Sequence, residues 1–235
     1  MIRLITDFDG PIIDVSDRYY RVYHFCLEKT RQLDQPVRPL SKSEFWALKR
    51  SRTPEKEIGM ISGLEPGQAQ AFADLRYQTV HTKPYFEYDT VVPGAVAALE
   101  KAQYAGIDLA VMTMRRTKEL EYAFQRHDLG RFFPADRCYC LEDDYVKLKD
   151  TKEKPLLMER ALRELPPASQ VWMVGDTEAD LISAKMHNVK VIGLLTGIRD
   201  RTQLEHHKPD FIATNLGAAV ELVLQQTDSV SSLEY

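Results

Sequence analysis

Four acidic residues in two tight clusters carry the strongest chemical signal in this sequence. Asp7-Phe8-Asp9-Gly10 closes a short apolar run, Ile2–Thr6, and Gly175-Asp176-Thr177-Glu178-Ala179-Asp180 closes another at 171–174. Carboxylates gathered in one crevice repel one another, and the arrangement becomes tolerable when a hard divalent cation sits among them. Magnesium suits such a place, because it takes oxygen ligands, keeps several waters and needs only two or three carboxylates. A carboxylate facing phosphorus can act as a nucleophile and form an aspartyl-phosphate. A second carboxyl two residues on, here Asp9, can protonate the leaving oxygen and later activate water. Gly10 permits the sharp turn that aims both side chains. Thr113, after the run 107–112, and Lys154, just before Pro155, would offer a hydroxyl donor and a cation to a bound phosphate.

These residues meet only if the elements carrying them are arranged side by side. Apolar runs at 2–6, 107–112, 137–141, 171–174, 189–194 and 210–213 read as strands. Helical patterns at 95–105, 120–127, 155–165, 180–187 and 216–224 alternate with them. That alternation predicts an α/β fold with a doubly wound parallel sheet, in which ligands bind outside the carboxyl ends of the strands. Asp7, Thr113 and Asp176 would share that edge, with Lys154 at the start of the helix before the fourth run. From 16 to 90 the pattern is helical throughout. Tyr19, Tyr20, Val22, Tyr23, Phe25 and Cys26 have helical spacing, Ser41 and Glu44 form a helix-start signature, and Ala69, Phe72, Leu75 and Val80 mark a third stretch. The expected organisation is therefore a core of residues 1–15 and 91–226, an inserted helical lobe at 16–90, and a flexible polar tail at 227–235.

In this order and spacing the motifs resemble those of the haloacid dehalogenase superfamily, over nearly the whole chain. Asp7-Phe-Asp-Gly10, with Asp14 four residues on, resembles the first motif, D-x-D-G-T-x-x-D. Val111-Met-Thr113 resembles the second, Lys154-Pro155 with Leu157, Ala161 and Leu162 the third, and Gly175-Asp176-x-x-x-Asp180 the fourth. The resemblance implies a Rossmann-like core with a C1-type helical cap. It implies Asp7 as nucleophile and Asp9 as general acid/base. It also implies a magnesium ion held by Asp7, the backbone carbonyl of Asp9 and Asp176, with Asp180 as ligand or support. Thr113 and Lys154 would hold the transferring phosphoryl group. Asp9 argues for the phosphatase branch, because the dehalogenase branch lacks this second aspartate. Pro11 departs from the pattern, where the family often has threonine. Lys152 competes with Lys154, but Pro155 and the following helix match the pattern after Lys154. A cap over the site implies a small phosphorylated metabolite, such as phosphoglycolate or a sugar phosphate, as substrate. Three alternatives stay open: a sugar-phosphate mutase, a phosphonate hydrolase using a cap lysine (Lys42, Lys49 or Lys56), and a catalytically silent binding module.

Bulk properties narrow the field further. With 235 residues, 44% apolar and 28% charged, the chain has the profile of a soluble globular protein. A net charge of −4 gives no reason to expect nucleic-acid binding. No run approaches a membrane span, and the acidic N-terminus has no signal-peptide h-region, so a cytoplasmic protein is expected. Three cysteines, two of them at 138 and 140, suggest neither a disulfide framework nor a zinc site. In the lobe, Lys49-Arg50-Ser51-Arg52 is a dense basic stretch. Arg50 and Arg52 are candidates to reach a substrate anion, against the alternative of a solvated face. Arg115 and Arg116 either line the crevice or begin a helix. Oligomeric state is not legible.

Overall fold

Leu4 and Ile5, neighbours in the first strand, are both fully buried. Adjacent residues of a strand point to opposite faces, so this strand must be covered on both sides, as parallel sheets are. The computed structural model of the chain describes residues 1–231 and shows that arrangement. In chain order the elements are β1 (Ile2–Thr6), β2 (Ile13–Asp14), α1 (Ser16–Thr30), α2 (Lys42–Arg50), α3 (Glu55–Ile61), α4 (Pro66–Thr79), α5 (Lys83–Phe86), β3 (Thr90–Val91), α6 (Ala95–Tyr104), β4 (Asp108–Arg116), α7 (Thr117–His127), β5 (Cys138–Leu141), α8 (Asp150–Glu164), β6 (Gln170–Gly175), α9 (Glu178–Met186), β7 (Lys190–Leu194), α10 (Arg201–Glu205), β8 (Phe211–Ala213) and α11 (Leu216–Ser231).

Six strands form one parallel sheet in the order β5-β4-β1-β6-β7-β8. The chain winds outward from β1 through β4 to β5, then returns to build the other half from β6. The switch point therefore lies at β1, between β4 and β6, and the crevice opens at the carboxyl ends of these strands. On one face Leu4, Val111, Trp172 and Val174 pack with Leu99, Leu120 and Val220 of α6, α7 and α11. On the other, Ile5, Ala110, Met112 and Met173 pack with Met158, Ala161, Leu181 and Ala184 of α8 and α9.

Between β2 and β3 the chain is helical, and α1 to α4 enclose a separate core of Val22, Tyr23, Phe45, Ile58 and Phe72. Tyr19 and Trp46 pack against both this core and that of the sheet. The two connections pair as an antiparallel ribbon, Ile13 opposite Val91 and Asp14 opposite Thr90. Two residues per strand are too few to leave a periodic pattern, so these strands were not expected.

Two elements differ from the sequence reading where it matters. β4 runs on to Arg116, so Thr113 lies inside the strand, where the pairing with β5 shifts register between Met112 and Arg116. α8 begins at Asp150, so Lys154 and Pro155 lie within the helix and not at its start. Pro155, the sixth residue of α8, removes one internal bond just beyond the first turn, and the helix runs on through it. α11 carries the chain to Ser231; of the expected tail, residues 232–235 lie outside the described residues. Among the described residues no helix is long and apolar enough to cross a membrane.

Candidate active site

The end of β1 places Asp7 between its two neighbouring strands, with its N–H donating to Val174 O at 2.8 Å. One side-chain oxygen accepts from Phe8 N–H at 2.7 Å. The other lies 2.7 Å from Lys154 Nζ, which also reaches Asp180 Oδ1 at 2.5 Å. Asp180 turns its second oxygen back to the start of α9, taking the N–H and hydroxyl of Thr177 at 3.0 and 2.8 Å. Asp176 Oδ2 accepts from Ile198 N–H at 2.7 Å. One oxygen each from Asp7, Asp176 and Asp180 lies within 4.8 Å of the others, and all three residues are buried.

The electrostatics of this cluster are unbalanced. Three buried carboxylates face one buried ammonium. Burial, with Asp180 and Asp176 adding to it, pushes Asp7 well above the usual carboxylate range against the pull of Lys154. Burial and then Asp180 push Asp176 up to about 7. Burial disfavours the charge on Lys154, but Asp180 and Asp7 outweigh it and hold the ammonium charged. Asp176 Oδ1 is buried and has no hydrogen-bond partner among the described residues. A buried orphan oxygen in an oxygen-only donor set with excess negative charge fits a hard divalent cation.

Glycines make the close approach possible. Gly10 has φ +93°, and a Cβ there would lie 2.3 Å from Asp176 Cγ. A Cβ on Gly175 would lie 2.1 Å from Asp180 Cγ, and one on Gly197 would lie 1.8 Å from Asp176 Oδ2. Gly10 and Gly175 belong to motifs visible in the sequence; Gly197 does not, and nothing around it marked it. Pro11 is buried in the same turn, which closes on the N–H groups of Gly10, Ile12 and Ile13, so its missing donor removes no bond from the turn.

Asp9 stands apart from the three carboxylates. Its Oδ1 takes Arg115 Nε at 2.9 Å and Nη2 at 2.6 Å, and its Oδ2 takes Arg18 Nη2 at 3.1 Å. Both guanidinium groups also reach Asp89, Arg18 at 3.0 Å and Arg115 at 2.5 Å. Burial raises the Asp9 carboxyl, but Arg115 and Arg18 outweigh it and bring it down to about 2. The same burial lifts Asp89 to about 6 despite the two arginines. Asp9 is thus an ion-pair member in this arrangement, and its carboxylate is not part of the metal-type cluster. Arg115, next to last in β4, lines the crevice, while Arg116 turns to Glu119 at 3.4 Å. Neither Arg18 nor Asp89 was singled out from the sequence. Arg18 had a signal: it is a lone charge on the buried face of α1, with Val22 and Cys26. Asp89 had none.

A cavity of about 780 Å³ lies over these residues, between core and lobe. Asp7, Asp9, Thr113, Lys154 and Asp176 line it from the core, and Lys49, Arg52, Glu55 and His81 from the lobe. Thr113 is buried, and its hydroxyl accepts from Arg115 N–H at 3.2 Å. Lys152 is exposed and Lys154 buried, which separates the two lysines. Arg52 borders the cavity, 3.3 Å from Glu178. Arg50 is not among the lining residues: its guanidinium donates to the carbonyls of Leu195 and Arg199 at 3.0 and 3.2 Å, strapping the end of α2 to the loop after β7. Of the three lobe lysines named above, Lys49 faces the cavity, ion-paired with Glu55. Burial lowers its pKa, with Glu55 opposing.

Comparison with known proteins gives a consistent picture. The sequence model of haloacid dehalogenase-like hydrolases matches residues 4–188. The phosphoglycolate phosphatase of Pseudomonas fluorescens is 22% identical over 232 residues, covering 97% of this chain and 82% of that protein. The phosphoglycolate phosphatase of Vibrio cholerae is 26% identical over 161 residues, covering 64% and 67%. Among solved structures, a haloacid dehalogenase-like family hydrolase from Streptococcus pneumoniae superposes with a TM-score of 0.66 at 17% identity, covering 95% of this chain and 97% of that one.

Proposed function

The chain belongs to the haloacid dehalogenase-like hydrolases, and from that premise we propose that it is a magnesium-dependent phosphatase acting on a small phosphomonoester through an aspartyl-phosphate at Asp7. The observation that carries this reading is the buried set Asp7, Asp176 and Asp180 beside Lys154, with an unpartnered oxygen on Asp176, at the cavity between core and lobe. Asp7, Asp176 and Asp180 would hold the magnesium ion, which neutralises carboxylate and phosphate charge and leaves Asp7 ionised for attack. Asp7 bonds to phosphorus as the ester P–O bond breaks. Asp9 delivers a proton to the departing oxygen, and then takes one from the water that releases phosphate and restores Asp7. Thr113 and Lys154 hold the phosphoryl oxygens. For Asp9 to carry a proton near neutrality it must leave Arg18 and Arg115, since between them its carboxyl sits at about 2. The C1-type lobe closes over the substrate, and phosphoglycolate, from the names of the relatives, is the first compound to try.

The test is phosphate release from p-nitrophenyl phosphate and from a panel of small phosphate esters, with magnesium and with a chelator. Turnover that needs the cation and vanishes in Asp7→Asn supports the reading. Activity that survives in Asp7→Asn removes Asp7 as nucleophile, and silence across the whole panel favours a binding module.

Lys49 supports a second reading, phosphonate hydrolysis through an imine on the lobe lysine, because it is buried at the cavity. Its ion pair with Glu55 opposes loss of the ammonium charge and favours the first reading. Borohydride treatment with a carbonyl-bearing phosphonate separates them: lasting inactivation means an imine formed.

A further inference from the structure

Where the lobe joins the core, two buried cations and two anions form a closed cluster. Arg18 comes from α1 and Asp89 from the turn before β3, so each of the lobe's two connections contributes one member. Asp9 and Arg115 come from the ends of β1 and β4. The side chains of Arg18, Arg115 and Asp89 are 0%, 2% and 2% exposed, and that of Asp9 is 26% exposed. Each guanidinium lies against the Phe86 ring, 5.0 Å away for Arg18 and 5.3 Å for Arg115. Each has an Nη1 that is buried without a hydrogen-bond partner among the described residues. Both arginines are therefore already short of acceptors.

Of the two members that line the cavity, Asp9 and Arg115, Asp9 is the one with a task on the substrate. If it turned away with nothing left behind, two buried guanidinium groups would be stranded, and removing one partner from a buried ion pair is strongly unfavourable. Asp89 changes that balance. It contacts both arginines at the same time as Asp9, through Nε of Arg18 and Nη2 of Arg115. Each guanidinium keeps one carboxylate contact when Asp9 departs, with no shift of backbone required.

We propose that Asp89 is a positioning residue: it is the reserve counter-charge that keeps Arg18 and Arg115 neutralised while the Asp9 carboxylate turns to the substrate. This rests on the reading of Asp9 as acid/base. With Asp89 uncharged, two guanidinium groups share Asp9 alone and hold it in place. Proton delivery to the leaving oxygen then fails first.

The readout is kcat/KM on two substrates, because it covers the steps up to departure of the leaving group. Nitrophenolate leaves without a proton, whereas an alkoxide needs one. With the alkyl phosphate best turned over by the unaltered protein, Asp89→Asn is expected to lose on the order of 10- to 100-fold, and with p-nitrophenyl phosphate less than about threefold. The ratio of the two is independent of the folded fraction. Asp89→Glu, which keeps the charge, should restore it. Should Asp89→Asn not fold, Arg18→Gln is the second variant. It frees Asp9 from one cation, so the ratio should hold or move in favour of the alkyl ester. A proportional loss on both substrates in Asp89→Asn, no loss on either, or a selective alkyl loss in Arg18→Gln overturns the proposal. Asp9→Asn is the control for the underlying reading. If it shows no alkyl selectivity, the role of Asp9 has failed; if it does and Asp89→Asn does not, only the role of Asp89 has.

Discussion

Lys154 touches two of the three clustered carboxylates and is 1% exposed. Lys154→Met would leave Asp7 and Asp180 without their shared cation. Breaking a buried ion pair and the size dependence of melting temperatures together predict a fall of roughly 10 °C without added metal. A thermal scan measures it, and phosphate release should fall below detection. Asp176 makes a prediction about pH. Its carboxyl is raised from 3.8 to about 7, so between those values the folded chain holds a proton that the unfolded chain has released. Stability from this group is therefore present at low pH, declines as pH rises from about 4 to about 7, and is level above that. A divalent cation competes with the same proton. Magnesium should raise the melting temperature more at about pH 7.5 than at about pH 5.5, and an equal effect at both would count against Asp176 as a ligand. Gly197→Ala tests the crowding directly, since its Cβ would meet Asp176 Oδ2 at 1.8 Å. The expected result is a higher magnesium concentration for half-maximal activity.

The elements matter here for how they hold short stretches of chain still. α8 and α9 pack against each other, and the Ser183 hydroxyl donates to Lys154 O at 3.1 Å. The helix that carries the lysine is thereby tied to the helix that carries Asp180. Thr113 sits within β4, not beyond it, directly after the residues that pair with β1 and β5 and inside the register shift that follows Met112. In the lobe, Ser41 and Glu44 form a reciprocal cap at the start of α2, as their spacing had suggested. This contact is exposed and remote from the chemistry. Ser41→Ala should cost about 1 kcal/mol and lower the melting temperature by roughly 2–4 °C, with kcat/KM unchanged. A large loss of activity in that variant would mean that α2 has a more direct role than its geometry indicates.

At the scale of the molecule, lobe and core are joined by the ribbon of β2 and β3, by the ion-pair cluster beside it, and by the strap from Arg50 on the far side of the cavity. Arg50→Ala should loosen closure and raise KM on the order of tenfold, the equivalent of one or two hydrogen bonds to a charged group, with little change in melting temperature. A cavity of about 780 Å³ matches the size of small-molecule sites. Asp7, Asp9, Thr113, Lys154, Asp176 and Asp180 were all legible in the sequence. Each stands within a few residues of a strand end or helix start, and local spacing is enough to bring its backbone to the crevice. The parallel α/β core was legible for the same reason, because alternation of apolar runs with helical patterns is local. What the sequence could not determine is what those side chains face once there. Arg115 lies 106 residues from the Asp9 it holds, and Arg50 lies 145 from Leu195. Asp89 and Gly197 carry no local mark at all. Contacts of this kind follow from strand register and from how the lobe docks on the sheet. A buried charge is stable only after its distant partners arrive, so its partners are decided by the tertiary structure alone.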